Sequence, residues 1–169
     1  MDYTPGIFNF TNTAKPNTKV KTTLVHQLAL YVILYSPLQM ACDLPENYEG
    51  NPAFKFIETV PVNWDVTRVI DSKIGDYIIT TRKDRNSDNW YLGGITNENA
   101  REKTIDLDFL DKDITYDAII YKDGPKANWE TNPTDISIVN RVVKASDQLT
   151  FKLARGGGVA IRFVPEKRN

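Results

Sequence analysis

The stretch Leu149-Thr150-Phe151-Lys152-Leu153-Ala154-Arg155-Gly156-Gly157-Gly158-Val159-Ala160-Ile161-Arg162-Phe163-Val164 decides the fold class of this chain. Leu149, Phe151 and Leu153 alternate with Thr150, Lys152 and Ala154. Val159, Ile161 and Phe163 alternate in the same way with Ala160, Arg162 and Val164. Successive side chains of an extended chain point to opposite faces, so a period of two gathers the apolar set on one side. Two half-buried strands are therefore predicted, and the three glycines between them predict a tight turn that closes a hairpin. A phosphate cradle needs a helix to begin directly after the glycines, and a strand follows instead, which favours the tight turn.

The same period recurs upstream. Ile105, Leu107 and Phe109 interleave with Asp106, Asp108 and Leu110. Further strands are predicted over 67–71, 76–82, 90–96, 115–121 and 136–143, with turn-forming residues at 84–89, 96–99, 123–125 and 146–147. About eight short strands without intervening helices predict a mainly β fold, an antiparallel β-sandwich.

Residues before about 64 read differently. The segment 5–21 is rich in Thr, Asn and Pro and has no period, so it is a loop. Thr22 or Thr23 is placed to cap a helix running from Leu24 to Tyr35, which Pro37 stops. A short second helix is predicted over 36–41 with Ser36 as its cap. A third is predicted over 51–57 with Asn51 as cap and Pro52 in the first turn. From Leu28 to Tyr35 the first helix is apolar on every side, which requires cover on every side. Three short helices leave that cover incomplete, so a second chain or a further segment is expected to pack on it. Self-association of the isolated chain is expected for the same reason.

Composition narrows the function. With 169 residues, 41% hydrophobic and 25% charged, the chain has the makeup of about one globular domain. Lys and Arg number 21 against 22 acidic residues, and a net charge of -1 argues against a nucleic-acid partner. The lone Cys42 excludes an internal disulfide. The lone His26 excludes a zinc site built on paired histidines, and its place inside an apolar helix suits a hydrogen-bonded structural residue. The longest apolar run, 28–35, is far short of the ~20 residues that span a bilayer, so no membrane span is expected. Met1 to Gly6 shows neither the basic nor the apolar region of a secretory signal.

Several clusters invite a chemical reading and each has a plainer one. Asp84, Asn86 and Asp88 imitate the start of a calcium loop, but Asn89 and Ile95 stand where such a loop needs Gly and Glu, which leaves a polar hairpin turn. Asp106 and Asp108 alternate with apolar residues and belong to the solvent face of a strand. Glu46 and Glu49 suit a carboxylate pair for glycoside hydrolysis, or simply the connection from helix to strand. Trp64, Trp90 and Trp129, with Tyr77, Tyr91, Tyr116 and Tyr121, suit a sugar-stacking platform, or the core of a sandwich.

A resemblance joins these pieces. Met1-Asp2-Tyr3-Thr4-Pro5-Gly6, His26-Gln27-Leu28-Ala29-Leu30-Tyr31-Val32, Tyr35-Ser36-Pro37-Leu38-Gln39-Met40, Asp43-Leu44-Pro45-Glu46-Asn47-Tyr48, Phe56-Ile57 and Val60-Pro61-Val62-Asn63-Trp64 follow in order. Gly75-Asp76-Tyr77 and Trp90-Tyr91-Leu92-Gly93 continue the series. Together they resemble the C-terminal end of glycoside hydrolase family 97, bacterial α-glucosidases and α-galactosidases. The resemblance implies that residues 1–63 are the end of a (β/α)₈ catalytic barrel, its loop and last helices, and that residues 64–169 are the C-terminal β-sandwich. It implies a C-terminal fragment of an enzyme that removes terminal α-linked glucose or galactose from oligosaccharides, bound through a barrel upstream. The family's catalytic carboxylates and the residues that hold its calcium ion would also lie upstream of Met1, so no catalytic or metal-binding residue carries over. Asp2 and Tyr3, at the end of a barrel strand, would line the substrate. A periplasmic or extracellular location is implied as well. Two other readings stay open. One is a stand-alone carbohydrate-binding sandwich, resting on the Trp and Tyr content. The other is a structural or assembly domain, resting on the apolar helix.

Overall fold

The computed structural model describes residues 4–11 and 18–166. Within these residues three helices precede eight strands. They are α1 (Leu24–Ile33), α2 (Pro45–Tyr48) and α3 (Phe54–Thr59), followed by β1 (Trp64–Lys73), β2 (Tyr77–Asp84), β3 (Trp90–Thr96), β4 (Arg101–Asp106), β5 (Thr115–Asp123), β6 (Ile136–Lys144), β7 (Gln148–Leu153) and β8 (Gly158–Pro165). Six strands form one sheet in the order β1-β2-β3-β8-β5-β6, and β4 and β7 pair as a second. All pairings are antiparallel. The expected mainly β sandwich is the observed fold.

The six-stranded sheet is covered on both faces. Ile79, Leu92, Ile161 and Phe163 point toward β4 and β7, where Ile105, Leu149, Phe151 and Leu153 meet them. Tyr91, Tyr121 and Ala160 point the other way and pack on Leu28, Val32 and Phe56 of the helices. The central strands β3 and β8 are thus buried on both sides, which is why Trp90–Leu92 and Val159–Ile161 carry apolar residues at consecutive positions.

α1 begins where the sequence indicates. The Thr23 side chain accepts from the His26 amide at 3.2 Å. The helix ends at Ile33, two residues before Tyr35. No helix forms over 36–41. Pro37 disfavours helical geometry at Ser36, and Gln39 folds back instead, donating to the Tyr31 and Leu34 carbonyls at 3.1 and 3.2 Å. The segment thereby satisfies helix-end acceptors that would otherwise be orphaned. The third helix starts at Phe54, led in by a turn in which Asn51 Oδ1 accepts from the Ala53 amide at 3.0 Å.

The expectation that α1 needs cover from outside is overturned. Val25, Leu28, Ala29 and Val32 are all 0% exposed within this chain. The sheet covers one side, and Phe8, Tyr48, Ala53 and Phe56 cover the other. Gly93 permits the close fit, because a Cβ there would stand 2.6 Å from the Ala29 carbonyl oxygen.

The glycine hairpin is a second correction. β7 and β8 follow one another in sequence but lie in different sheets, β7 beside β4 and β8 between β3 and β5. Gly156 to Gly158 therefore carry the chain around a corner between layers. Gly156 adopts φ +63°, its N–H donates to Asn97 at 2.8 Å, and its carbonyl accepts from the Thr23 amide at 2.9 Å. Alternation identifies the face of a strand but not its neighbour, and here the next strand in sequence is not the next in space.

Candidate functional site

Two networks of polar side chains lie on the helix layer; others link the strands, such as Asp71 with Tyr77 and Lys103, and Asp111 with Lys83 and Tyr116. The first fastens the segment that runs in from Thr4. Gly6 donates its amide to Gln27 Oε1 at 3.1 Å, and the Tyr31 hydroxyl donates to the Pro5 carbonyl at 2.9 Å. The Tyr48 hydroxyl donates to the Gly6 carbonyl at 2.7 Å and accepts from the Asp43 amide at 2.8 Å. Asp43 Oδ2 accepts from the amides of Phe8 and Asn9, both at 2.7 Å. Its Oδ1 accepts from the Leu44 amide and the Asn47 side chain at 2.8 and 2.6 Å. Burial alone would raise the Asp43 pKa, but these donors outweigh it and hold the carboxyl below its ordinary range. A carboxylate held so is an anchor and not a proton donor. Asp2 and Tyr3, the expected substrate-lining pair, lie outside the described residues.

The second place is the glycine corner. Asp123, at the end of β5, lies buried at the N-terminus of α1. Its Oδ1 accepts from the Thr23 hydroxyl at 2.7 Å, and its Oδ2 accepts from the amides of Ala154 and Gly158 at 2.8 and 2.9 Å. Burial pushes its pKa up to about 6, against the lowering effect of those three bonds. Beside it His26 Nδ1 lies 3.1 Å from the Gly156 carbonyl. Burial pushes the His26 pKa down to about 4, so the ring is neutral near pH 7 and donates from Nδ1. A hydroxyl, an imidazole and a carboxylate thus sit close together, yet they do not form a nucleophilic triad. The imidazole faces a carbonyl and not Thr23, and Thr23 is fully buried. His26 is the hydrogen-bonded structural residue its helix suggests.

The remaining candidates are separated from one another. Glu46 and Glu49 stand exposed on α2 and at its end. Asp84 accepts from Asn86 and Ser87 inside the β2–β3 hairpin turn, as the failed calcium pattern implies. Asp106 accepts from Gln148 at 2.7 Å, and Asp108 lies 3.6 Å from Arg68, both on the outer surface. Among the described residues, no group of three or more His, Cys, Asp or Glu could hold a metal ion. Trp64 and Trp90 are buried, Trp64 edge-on to Tyr91 and Trp90 against Phe109, so these rings build the core and offer no face to a sugar. A groove of about 920 Å³ runs past β7, lined by Arg101, Lys122, Asp123, Phe151, Lys152 and Arg155. The Asp123 oxygens in its wall are already engaged as described.

Sequence reasoning missed both anchors. Asp123 carried a usable signal: it continues the alternation of Ile119 and Tyr121, which face α1. For Asp43 only the bonds to Leu44 and Asn47 are local; its anchoring partners Phe8 and Asn9 are some 35 residues away along the chain.

The arrangement is that of a sandwich with a helical layer clamped to it, in which Asp43 and Asp123 serve as anchors. Residues 63–164 match the family described as glycosyl-hydrolase 97 C-terminal, oligomerisation, and the chain belongs to that family. A retaining α-galactosidase of Bacteroides thetaiotaomicron is 39% identical over 171 residues, which cover 96% of this chain and 25% of the relative. A probable retaining α-galactosidase of Streptomyces bingchenggensis is 26% identical, covering 95% of this chain and 23% of the relative. The structure of a glycoside hydrolase family 97 enzyme from Pseudoalteromonas sp. strain K8, in complex with panose, superposes with a TM-score of 0.94 at 50% identity. It covers 99% of this chain and 26% of that one. The chain spans about a quarter of the length of the curated relatives it matches.

Proposed function

We propose that this chain serves as the C-terminal portion of a family 97 α-glycosidase acting on terminal α-linked glucose or galactose, where it braces a catalytic barrel and joins copies of the enzyme without catalysing on its own. The observation that carries the reading is the alignment of 96% of the chain with a quarter of a retaining α-galactosidase. The panose complex of the Pseudoalteromonas enzyme supports an oligosaccharide substrate. The family description supports the joining role.

On this reading residues 1–63 close a (β/α)₈ barrel and residues 64–169 form the sandwich. Asp2 and Tyr3 line the substrate, and any calcium is held by residues upstream. The exposed side chains Tyr35, Leu38, Met40 and Leu44 support a covering barrel. They lie beside the entering segment, since the Cys42 amide donates to Pro5 at 3.2 Å. A retaining reaction needs a nucleophile and an acid/base carboxylate about 5 Å apart. The carboxylates described here are instead anchors, turn acceptors or surface groups. The isolated chain is expected to hydrolyse nitrophenyl α-glucoside and nitrophenyl α-galactoside no faster than buffer. Turnover that disappears in Glu46→Ala or Glu49→Ala would overturn the non-catalytic role.

A further inference from the structure

The six-stranded sheet ends in two edges of different construction. β1, at one edge, breaks register with β2 twice, between Trp64 and Val66 and between Val69 and Asp71. It also exposes Asp65, Arg68 and Lys73. Irregular pairing and outward charge are the usual means by which an edge strand avoids recruiting another. β6, at the other edge, has neither irregularity nor dense charge. Its register with β5 runs unbroken from Ile136 opposite Asp123 to Lys144 opposite Thr115. Along its nine residues Ile138, Val139 and Val142 are 36%, 40% and 57% exposed. Every second residue of such a strand turns its N–H and C=O toward the open edge. A cleft of about 260 Å³ between β6 and β7, lined by Val139, Arg141 and Phe151, shows that the second layer does not close over it.

We propose that β6 pairs antiparallel with β6 of a second copy of this chain, about a two-fold axis at Asn140. The inference deepens the joining role proposed above and rests on it. The strand is self-complementary in this register. Ile138 meets the second copy's Val142, and Val142 its Ile138, on the face that Ile138 shares with Tyr121. Arg141 falls opposite Val139 and Lys144 opposite Ile136, so no like charges confront one another. A two-fold axis makes each contact twice and closes the assembly at two copies. The occupant is a second copy and not an unrelated strand because one unguarded edge satisfies both halves of the contact, and because the family is described by oligomerisation.

Sedimentation equilibrium of the chain tests this. The wild-type chain is expected to be a dimer. The double substitution Ile138→Lys/Val142→Lys sets four ammonium groups along the seam and is expected to weaken the dimer about 100-fold or more. Both positions are solvent-exposed in the single chain, so its circular dichroism should not change. In a Cys42→Ser background, Asn140→Cys should oxidise to a disulfide-linked dimer, because residues facing each other across an antiparallel pair have Cα atoms about 4.5–5.5 Å apart. Val69→Cys on β1 should not. The cross-link decides the matter if the lysine variant fails to fold. A dimer of unchanged affinity in the lysine variant, or no cross-link in Asn140→Cys, overturns the β6 seam while leaving the joining role intact. A wild-type chain that stays monomeric at every concentration overturns both.

Discussion

On the face that meets β4 and β7, the buried centre of the six-stranded sheet packs apolar side chains on apolar side chains, with Phe163 edge-on to Phe109 at 5.6 Å between ring centres. Polar bonds such as Lys103 to Asp71 at 2.9 Å lie at its partly exposed rim. On the face that meets α1, apolar packing is interrupted by polar pins. Asp123 holds the helix start through Thr23, and Arg82 donates to the Ile33 carbonyl at the helix end at 3.2 Å. Gln27 and Tyr31 hold the entering segment. The hydrophobic effect has no direction, so the first face tolerates any filling of similar volume and shape. Hydrogen bonds have direction, so the second face fixes where α1 and residues 5–10 must lie. The sandwich face supplies cohesion and the helix face supplies position.

Substitutions on the two faces should separate these contributions. The largest effect is expected from Phe163→Ala, which empties a fully buried site on the sandwich face and should cost about 4 kcal/mol in urea unfolding. A loss below about 1 kcal/mol would mean the core collapses into the space, and the claim of cohesion through packing would fail. Next comes Asp123→Ala, which strands the buried amide of Gly158, the part-buried amide of Ala154 and the buried Thr23 hydroxyl, and should cost about 3 kcal/mol. Asp123→Asn, which keeps an acceptor for those amides, should retain most of that stability. Equal damage in both variants would show that charge, and not bonding geometry, holds the corner.

The smallest effect is a pH dependence confined to the helix face. His26 is lowered from 6.5 to about 4 on folding, so its contribution is full above pH 6.5 and is lost as pH falls through 4. Asp123 is raised from 3.8 to about 6, so its contribution is full below pH 3.8 and is lost as pH rises through 6. Between pH 4 and 6 the two oppose each other. Asp123→Asn removes one of them, so its unfolding free energy should fall more steeply than wild type as pH drops from 6.5 to 4. Parallel curves for the two proteins would remove Asp123 from the balance.

Much of the sandwich face was legible in the sequence because its rule is local. Alternation found β7 and β8, and β3 spans the same residues, 90–96, in prediction and structure. The strand expected from Ile105 to Leu110 lies instead at Arg101–Asp106, because Leu107, Phe109 and Leu110 turn into the core after the strand ends. Thr23 was legible as a cap for a similar reason. The helix face was not, because its rules join distant residues. The cover for α1 comes from Phe8 and from Tyr91, Tyr121 and Ala160, which no helical period reveals. The segment 36–41 has the pattern of a helix but serves as the cap of another. The resemblance to family 97 supplied the class of protein that periodicity could not, yet it did not supply the anchoring of Asp43 to Phe8 and Asn9 or of Asp123 to Thr23, Ala154 and Gly158, partners that only the folded chain brings near.

The position of β8 has a consequence for how the molecule comes to be made. β8 is the last of the described strands, yet it occupies the middle of the large sheet, with Phe163 opposite Trp90 on one side and Ala118 on the other. Until it is inserted, β1-β2-β3 and β5-β6 have no strand between them. Synthesis from the N-terminus therefore leaves two unfinished sheets, each with an open apolar edge, until residues 158–165 have left the ribosome. Such long-range closure is slow and leaves nascent chains prone to wrong pairing. Loss of even the final strand would remove the seam of the sheet and not merely its border.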